Sequence, residues 1–183
     1  MCNEFRFQRS LDELLEEFSQ LNVPLGWDGD RPNLEPRASI RPTDAAFVLV
    51  GQDGGARLIQ RRWGFVNPKG GPIINYRSEG RRFGSGRCLV PMDGFYEFTG
   101  DKAPKSKWLF TPTVGPFLAV VGLVREDRFT LLTCEPGPEV GAIHARQPAI
   151  LPRQHWAAWL DASAPQPPIG PAPVGSVNVV QVR

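Results

Sequence analysis

The chain has 183 residues and a formal net charge of +2, which suits one globular domain and does not demand a polyanionic partner. Its 19 glycines and 19 prolines indicate many turns and short strands and argue against a helical bundle. With three cysteines, no Cys-x-x-Cys motif and two histidines, the sequence predicts neither a disulfide framework nor a metal centre. We find no signal peptide and no membrane span, so we expect a cytoplasmic protein with no membrane contact.

The chain begins with Met1 followed by Cys2. A small second residue normally allows removal of the initiator methionine, after which Cys2 would carry a free α-amine beside its thiol. The reference pKa values of these groups, about 8 and about 8.5, make both nucleophiles available near neutral pH. An accidental cysteine at position 2 is the alternative interpretation.

A capping box formed by Ser10 and Glu13 begins the first predicted helix. An apolar stripe at helical spacing follows, which indicates a scaffold helix packed on the core. Residues 23–45 are rich in proline and are expected to be irregular. Residues 46–50 and 56–65 are then predicted to form a β-hairpin, with Trp63 as a candidate core residue.

Basic residues dominate the stretch 57–87, where eight arginines and lysines stand against one acid, Glu79. Aromatic residues are interleaved with these cations. This mixture supplies phosphate contact and base stacking for single-stranded nucleic acid, although a solvated charged surface is the alternative.

Residues 87–98 are predicted to form a strand, a tight turn at 91–94 and a second strand. Strand alternation places Phe95 and Glu97 on one face, with the adjacent aromatic residues on the other. A carboxylate among aromatic side chains is costly to bury unless it is partnered or has a raised pKa. Glu97 is therefore either a strand-end residue that reaches water or a tuned acid or base in a pocket.

The remaining chain adds strands, a short helix and a linker. Strands are predicted at 108–111, 117–124, 129–134 and 177–182, a helix at 153–161, and a Pro/Ala-rich segment at 163–174. The hairpins and turns favour an α+β fold with a mainly antiparallel sheet and a few peripheral helices. We expect one domain over 1–183.

Five short motifs occur in a fixed order along the chain. They are Met1-Cys2, Trp63-Gly64-Phe65, Asn75-Tyr76-Arg77-Ser78-Glu79, the segment 87–97, and His144-Ala145-Arg146-Gln147-Pro148. Together they resemble the SOS-response-associated peptidase (SRAP) family, whose members shield abasic sites in single-stranded DNA. The resemblance extends from Cys2 to about Asp161 and implies a barrel-like sheet core, no cofactor and a monomeric protein.

The resemblance also implies a chemistry for Cys2. After removal of Met1, the α-amine would attack the C1′ aldehyde of an abasic site, and the thiolate would close a thiazolidine, which is a covalent DNA–protein crosslink. Lyase activity, self-reversal and autoproteolytic release of the N-terminus are implied as associated activities. The implied catalytic residues are Cys2, Asn75, Glu97 and His144. The implied DNA-binding residues are Trp63, Arg77, Arg81, Arg82 and Arg146.

The sequence departs from the family pattern at two of these motifs. Relatives commonly carry Gly-Arg after the cysteine, where this chain has Asn3 and Glu4, so we expect weaker DNA affinity. Relatives also carry an acid directly after the histidine, where this chain has Ala145. If that acid orients the imidazole, His144 requires another partner.

Two other functions fit the same residues. One is a cysteine peptidase or amidase that uses Cys2 with His144, which would need an oxyanion hole. The other is a non-catalytic module that binds single-stranded DNA through the basic stretch 57–87.

Overall fold

A computed structural model describes residues 2–183, and the expected removal of Met1 therefore concerns a residue outside the described part of the chain. The described chain forms two sheets with a few short helices around them. The strands are β1 (Glu4–Phe7), β2 (Leu25–Trp27), β3 (Arg37–Ile40), β4 (Ala45–Gln52), β5 (Gly55–Trp63), β6 (Asn75–Arg77), β7 (Arg87–Met92), β8 (Gly94–Thr99), β9 (Ser106–Pro112), β10 (Leu118–Arg125), β11 (Arg128–Cys134), β12 (Gln147–Pro148) and β13 (Val177–Gln181). The helices are α1 (Leu11–Ser19), α2 (Pro138–Gly141) and α3 (Trp156–Leu160), with a 3₁₀ turn at Arg153–His155.

The smaller sheet has the strand order β13-β9-β8-β1-β3, and the larger has the order β12-β11-β10-β7-β4-β5-β2. Most neighbouring strands are antiparallel, while β5 and β6 both pair with β11 in parallel and β2 pairs with β5 in parallel. The pairing of β5 with β11 makes part of the larger sheet ring-like. The expected mainly antiparallel fold with few helices is confirmed, and its barrel-like character is limited to this ring-like part.

Helix α1 has the predicted capping box, because the Ser10 side chain accepts from the Glu13 amide and the Glu13 carboxylate accepts from the Ser10 amide. Its apolar stripe is buried at Leu11, Leu14 and Phe18. The scaffold role expected of this helix is thereby confirmed. Within the described residues, no helix is long and apolar enough to cross a membrane.

The two strands predicted at 87–98 are confirmed as β7 and β8, but the tight turn predicted at 91–94 is wrong, because only Asp93 lies between them. Strands β7 and β8 belong to different sheets, and the chain passes from one to the other at Asp93. The expectation that residues 23–45 are irregular is also wrong in part, because β2 and β3 lie there and each pairs with a neighbouring strand. The predicted helix at 153–161 begins instead as a 3₁₀ turn.

Candidate active site

Cys2 lies two residues before β1, a strand held between β3 and β8 in the smaller sheet. Its side chain has no exposed surface, and the thiol donates to the carbonyl of Glu4 at 3.5 Å. Burial raises the pKa of the Cys2 thiol, and the nearby Glu97 carboxylate raises it further. The thiol is therefore neutral at rest, and its use as a nucleophile requires an acceptor for its proton.

Asn75 connects the larger sheet to Cys2. It begins β6, where it lies opposite Leu131 of β11. Its side-chain Nδ2 donates to the main-chain carbonyl of Cys2 at 2.8 Å. Among the described residues, the buried Oδ1 of the same amide has no hydrogen-bond partner. Asn75 thus holds the Cys2 main chain and presents an acceptor beside it.

Glu97 lies on β8 with 2% of its surface exposed. Burial raises the pKa of Glu97, while the positive charge of a protonated His144 lowers it. Tyr96 and Phe98 share the opposite face of the strand, where the Lys107 ammonium lies 3.8 Å and 5.6 Å from the centres of their rings. Of the two interpretations that the sequence left open, a strand end that reaches water does not fit the structure, and a carboxyl group tuned by burial does.

His144 follows α2 and is half-buried, and its amide donates to the carbonyl of Val140 at 2.8 Å. Its Nδ1 lies 3.0 Å from the amide nitrogen and 2.9 Å from the carbonyl oxygen of Arg146. The imidazole lies close enough to Glu97 for its positive charge to lower the pKa of that carboxyl group. The structure therefore brings together all the residues expected to be catalytic. They are Cys2, Asn75, Glu97 and His144.

The arginines expected to bind DNA divide into two groups. Arg77, Arg81 and Arg82 are exposed. Arg81 donates to the hydroxyl of Tyr76 at 2.9 Å and stacks on its ring at 4.7 Å. Arg146 has only 15% of its side chain exposed and is paired with Glu79. The first group presents charge to solvent, and the guanidinium of Arg146 is already engaged within the protein.

Trp63 lies in the core, with no exposed surface. Its ring packs against Phe5 and Phe129, with centroid distances of 5.1 Å and 6.3 Å, and its indole N–H donates to the carbonyl of Ile74 at 2.9 Å. The sequence left both a core role and a stacking role open for this residue. The structure shows the core role, and in this conformation the ring offers no surface to a base.

Sequence reasoning missed the partners of Glu4. This residue is only 4% exposed, and its carboxylate accepts from Ser39 Oγ at 2.9 Å and from Lys107 Nζ at 2.7 Å. The guanidinium of Arg41 lies 3.9 Å away. Glu4 therefore points into the protein and joins β1 to the neighbouring strand β3 and, beyond β8, to β9. The alternation of residues 4–7 was a signal for a strand, but its length was too short to be recognised alone.

A groove of about 320 Å³ adjoins this end of β1. Its lining includes Asn3, Phe98 and three cations, Arg41, Lys107 and Arg183. A larger depression of about 720 Å³ lies elsewhere, between the turn at 51–55 and residues 157–163. None of the residues expected to be catalytic lines either depression.

Comparison with known sequences gives a family match over most of the chain. The model of the family "SOS response associated peptidase (SRAP)" matches residues 1–170. Two similar proteins of Bacillus subtilis (strain 168) are named abasic site processing protein YoaM and abasic site processing protein YobE. The first is 25% identical and covers 91% of this chain and 82% of its own length. The second is 24% identical and covers 91% of this chain and 85% of its own length.

Comparison with solved structures shows the same fold in proteins of distant sequence. A crystal structure of a Bacteroides thetaiotaomicron protein has a TM-score of 0.76 at 14% identity, covering 100% of this chain and 92% of that one. A crystal structure of a phage-related protein from Bordetella bronchiseptica has a TM-score of 0.73 at 21% identity, covering 100% of this chain and 94% of that one. These likenesses establish the architecture alone.

Proposed function

The chain belongs to the SRAP family, and on that premise we propose that it binds abasic sites in single-stranded DNA and links to them covalently through Cys2. Similar proteins carry the name abasic site processing protein, which supports the substrate class. The reactive form of the protein is the one in which Cys2 is the first residue. The product is a thiazolidine that joins Cys2 to the C1′ carbon of the sugar.

The contact between Asn75 and Cys2 carries the proposal. Asn75 Nδ2 holds the carbonyl of Cys2, and its Oδ1 is a buried acceptor with no hydrogen-bond partner among the described residues. A buried acceptor of this kind is costly unless a donor satisfies it. The freed α-amine of Cys2 is such a donor, attached to the residue that Asn75 already holds.

The reaction proceeds in two additions at one carbon. The α-amine of Cys2 adds to the C1′ aldehyde of the open sugar, and the resulting carbinolamine loses water to form an imine. The thiolate of the same residue then adds to the imine carbon, and the nitrogen takes up a proton. One C–N bond and one C–S bond form, and one water molecule leaves.

Glu97 and His144 supply the proton transfers. Because burial raises the pKa of Glu97, its carboxyl group can give and take protons nearer to neutral pH than an exposed glutamate. It gives a proton to the departing hydroxyl and accepts one as the thiol becomes a nucleophile. The imidazole of His144 acts as the second proton-transfer group on the sugar.

The DNA backbone contacts the exposed arginines that follow Asn75. Arg77 lies two residues beyond Asn75 on the short strand β6, so a phosphate bound there adjoins a sugar at Cys2. Arg81 and Arg82 extend this exposed cationic surface. Phosphate contacts of this kind supply affinity without sequence preference.

A denaturing gel with an abasic single-stranded oligonucleotide tests the proposal. Wild-type protein that has lost Met1 is expected to give a slow band that resists denaturation without any reductant. Cys2→Ser keeps the amine but lacks the thiol, so it is expected to give a band only when borohydride traps the imine. Cys88→Ala is the matched control, because Cys88 is a buried cysteine in the larger sheet, and it should crosslink as the wild type does.

The other outcomes identify the competing functions. Binding to intact and abasic strands without any adduct would mean a non-catalytic binding module. Cleavage of a peptide by the mature protein, abolished in Cys2→Ser and without any DNA adduct, would mean a peptidase.

A further inference from the structure

His144 has an unusual partner at its Nδ1. The nitrogen lies 3.0 Å from the amide nitrogen and 2.9 Å from the carbonyl oxygen of one residue, Arg146. Two hydrogen bonds of opposite sense are therefore available at the same ring atom. The amide can donate to an unprotonated Nδ1, and the carbonyl can accept from a protonated one.

This arrangement provides a partner for Nδ1 in every protonation state of the ring. A neutral imidazole carries its proton on either nitrogen, and the imidazolium carries protons on both. When Nδ1 lacks a proton, the N–H of Arg146 bonds to it. When Nδ1 carries a proton, it donates a hydrogen bond to the C=O of Arg146. The ring therefore does not need to rotate when its charge changes.

The position of Arg146 is fixed in turn by its guanidinium. Nη1 and Nη2 donate to the two carboxylate oxygens of Glu79, the second at 3.0 Å. Nη2 also donates to the carbonyl and hydroxyl oxygens of Thr133, at 2.9 Å and 3.0 Å. The following residue, Gln147, begins β12 and pairs with Cys134 of β11. The main chain that contacts His144 is thus tied to β11 and to the loop after β6.

We propose that Arg146 is a positioning residue that holds Nδ1 of His144 with its main chain, so that His144 exchanges protons with the sugar through Nε2. The residue that directly follows His144 is an alanine, which has no side-chain polar atom, so the contacts at Nδ1 come from the main chain of Arg146. This inference rests on the proposed function for its substrate. Its geometric part, the fixed ring, can be measured without DNA.

The charged groups around the imidazole agree with this role. Glu97 on β8 is the carboxyl group whose pKa a protonated His144 lowers. On the Arg146 side, the guanidinium and Glu79 neutralise each other, and the guanidinium lowers the pKa of Glu79. A positive charge on the imidazole is therefore favoured by the Glu97 carboxylate, and the Arg146–Glu79 pair adds no net charge on the Nδ1 side of the ring.

The test uses Glu79→Gln, which weakens the anchor without touching His144. At saturating abasic DNA, the rate constant of crosslinking is expected to fall roughly tenfold, a fraction of the about 10²–10⁴ that a positioned acid or base contributes. The affinity for an intact strand should stay equal or increase, because Arg146 is released. Thr133→Val, which removes one bond to Arg146, should show the same pattern in a milder form and serves if Glu79→Gln does not fold.

Nitrogen-15 spectra of the imidazoles provide the readout that is independent of DNA. The chain has two histidines, so His155→Gln assigns both. Wild-type His144 should show an Nδ1 chemical shift typical of a hydrogen-bonded nitrogen in every spectrum recorded, and Glu79→Gln should move that shift toward the value of half-exposed His155. Unchanged shifts and an unchanged rate in Glu79→Gln would overturn the inference. Tighter DNA binding with an unchanged rate would assign Arg146 to phosphate binding instead. Both results can be distinguished from a failure of the proposed function, because in that case the wild-type protein forms no crosslink.

Discussion

The Glu97 carboxylate adds to the effect of burial in raising the pKa of the Cys2 thiol. The thiol is buried and lies within the electrostatic influence of the carboxylate, so its thiolate is disfavoured while Glu97 is ionised. When Glu97 takes the thiol proton, no net charge is created in the site. The pair can therefore reach the nucleophilic state by an internal transfer, which an isolated buried cysteine such as Cys88 cannot do.

We predict that Glu97→Gln slows crosslinking by about 100-fold or more, the low end of general acid–base contributions. The amide keeps the shape of the carboxyl group but cannot take the proton of Cys2 or release one to the departing hydroxyl. Single-turnover kinetics on a denaturing gel measure this rate. Glu135→Gln, at an exposed glutamate outside the site, is the control and should react as the wild type does. Equal rates for both variants would remove Glu97 from the mechanism.

The raised pKa of Glu97 also predicts a pH dependence of stability. Above the ordinary glutamate value of 4.5 the unfolded chain loses this proton first, while the folded protein retains it. The free energy of unfolding of the wild type should therefore fall relative to Glu97→Gln as the pH rises from 4.5, and the difference should stop growing above the folded-state pKa. Urea denaturation at several pH values measures the difference. A constant difference across this range would contradict the raised pKa.

Strand β1 determines the position of Cys2, which lies two residues before it. Ionic contacts hold it at both ends. Glu4 accepts from Lys107 and Ser39 near its start. Near its end, Asp93 forms an ion pair with the guanidinium of Arg6 at 3.0 Å and accepts a hydrogen bond from the amide of Gln8 at 3.1 Å. Because β1 has only four residues, its main-chain ladder alone would hold it weakly. The charged contacts compensate for that short length.

A double-mutant cycle at Glu4 and Lys107 tests this anchoring. Lys107→Met leaves the Glu4 carboxylate, with 5% of its side chain exposed, without its ammonium partner. We expect a decrease of about 2 kcal/mol or more in the free energy of unfolding, because the buried carboxylate then keeps only Ser39 and the more distant, exposed guanidinium of Arg41 at 3.9 Å. Glu4→Met combined with Lys107→Met should cost less than Lys107→Met alone. Additive decreases in urea denaturation would show that the pair contributes nothing specific.

At the scale of the molecule, sequence patterns located the long elements and missed the short ones. The alternating or apolar runs that became β4, β5, β10 and β11 were recognised because each buries a face over at least seven residues. Strands β1, β2 and β3 have four residues or fewer and exist because a neighbouring strand pairs with them. The residue pattern within a short strand does not show which other strand will pair with it.

The site was predictable from the sequence only through the family motifs. Cys2 and Asn75 lie 73 positions apart and meet through a side chain and a carbonyl, which no periodicity indicates. The number of basic residues in the stretch 57–87 also overstates the charge that is exposed for DNA binding. Arg87 belongs to the basic stretch but is buried, with its guanidinium against Trp159 and carbonyl oxygens, so it cannot bind DNA in this conformation. Composition does not distinguish such an arginine from an exposed one.

The exposed cations predict the salt dependence of DNA binding. Removing one arginine that binds a phosphate should reduce the slope of log affinity against log salt by about 0.7 for a single strand. We therefore expect Arg77→Gln to lower the slope by about that amount in a fluorescence titration with an intact strand. Arg57→Gln is the matched control, because Arg57 is already paired with Asp28 at 3.0 Å and should change the slope less. Identical slopes for both variants would mean that the DNA backbone does not contact Arg77.

In the proposed crosslink, the nitrogen and the sulfur that trap the sugar both belong to Cys2. Mass spectrometry tests it most directly, on wild-type protein whose intact mass first shows that Met1 is absent. After reaction with an abasic oligonucleotide and proteolysis, we expect an adduct on the peptide that begins with Cys2. Its mass should equal that of peptide plus DNA less one water molecule, and borohydride should not alter it. An adduct on a lysine, or no adduct on a chain that begins with Cys2, would contradict the proposed crosslink through Cys2.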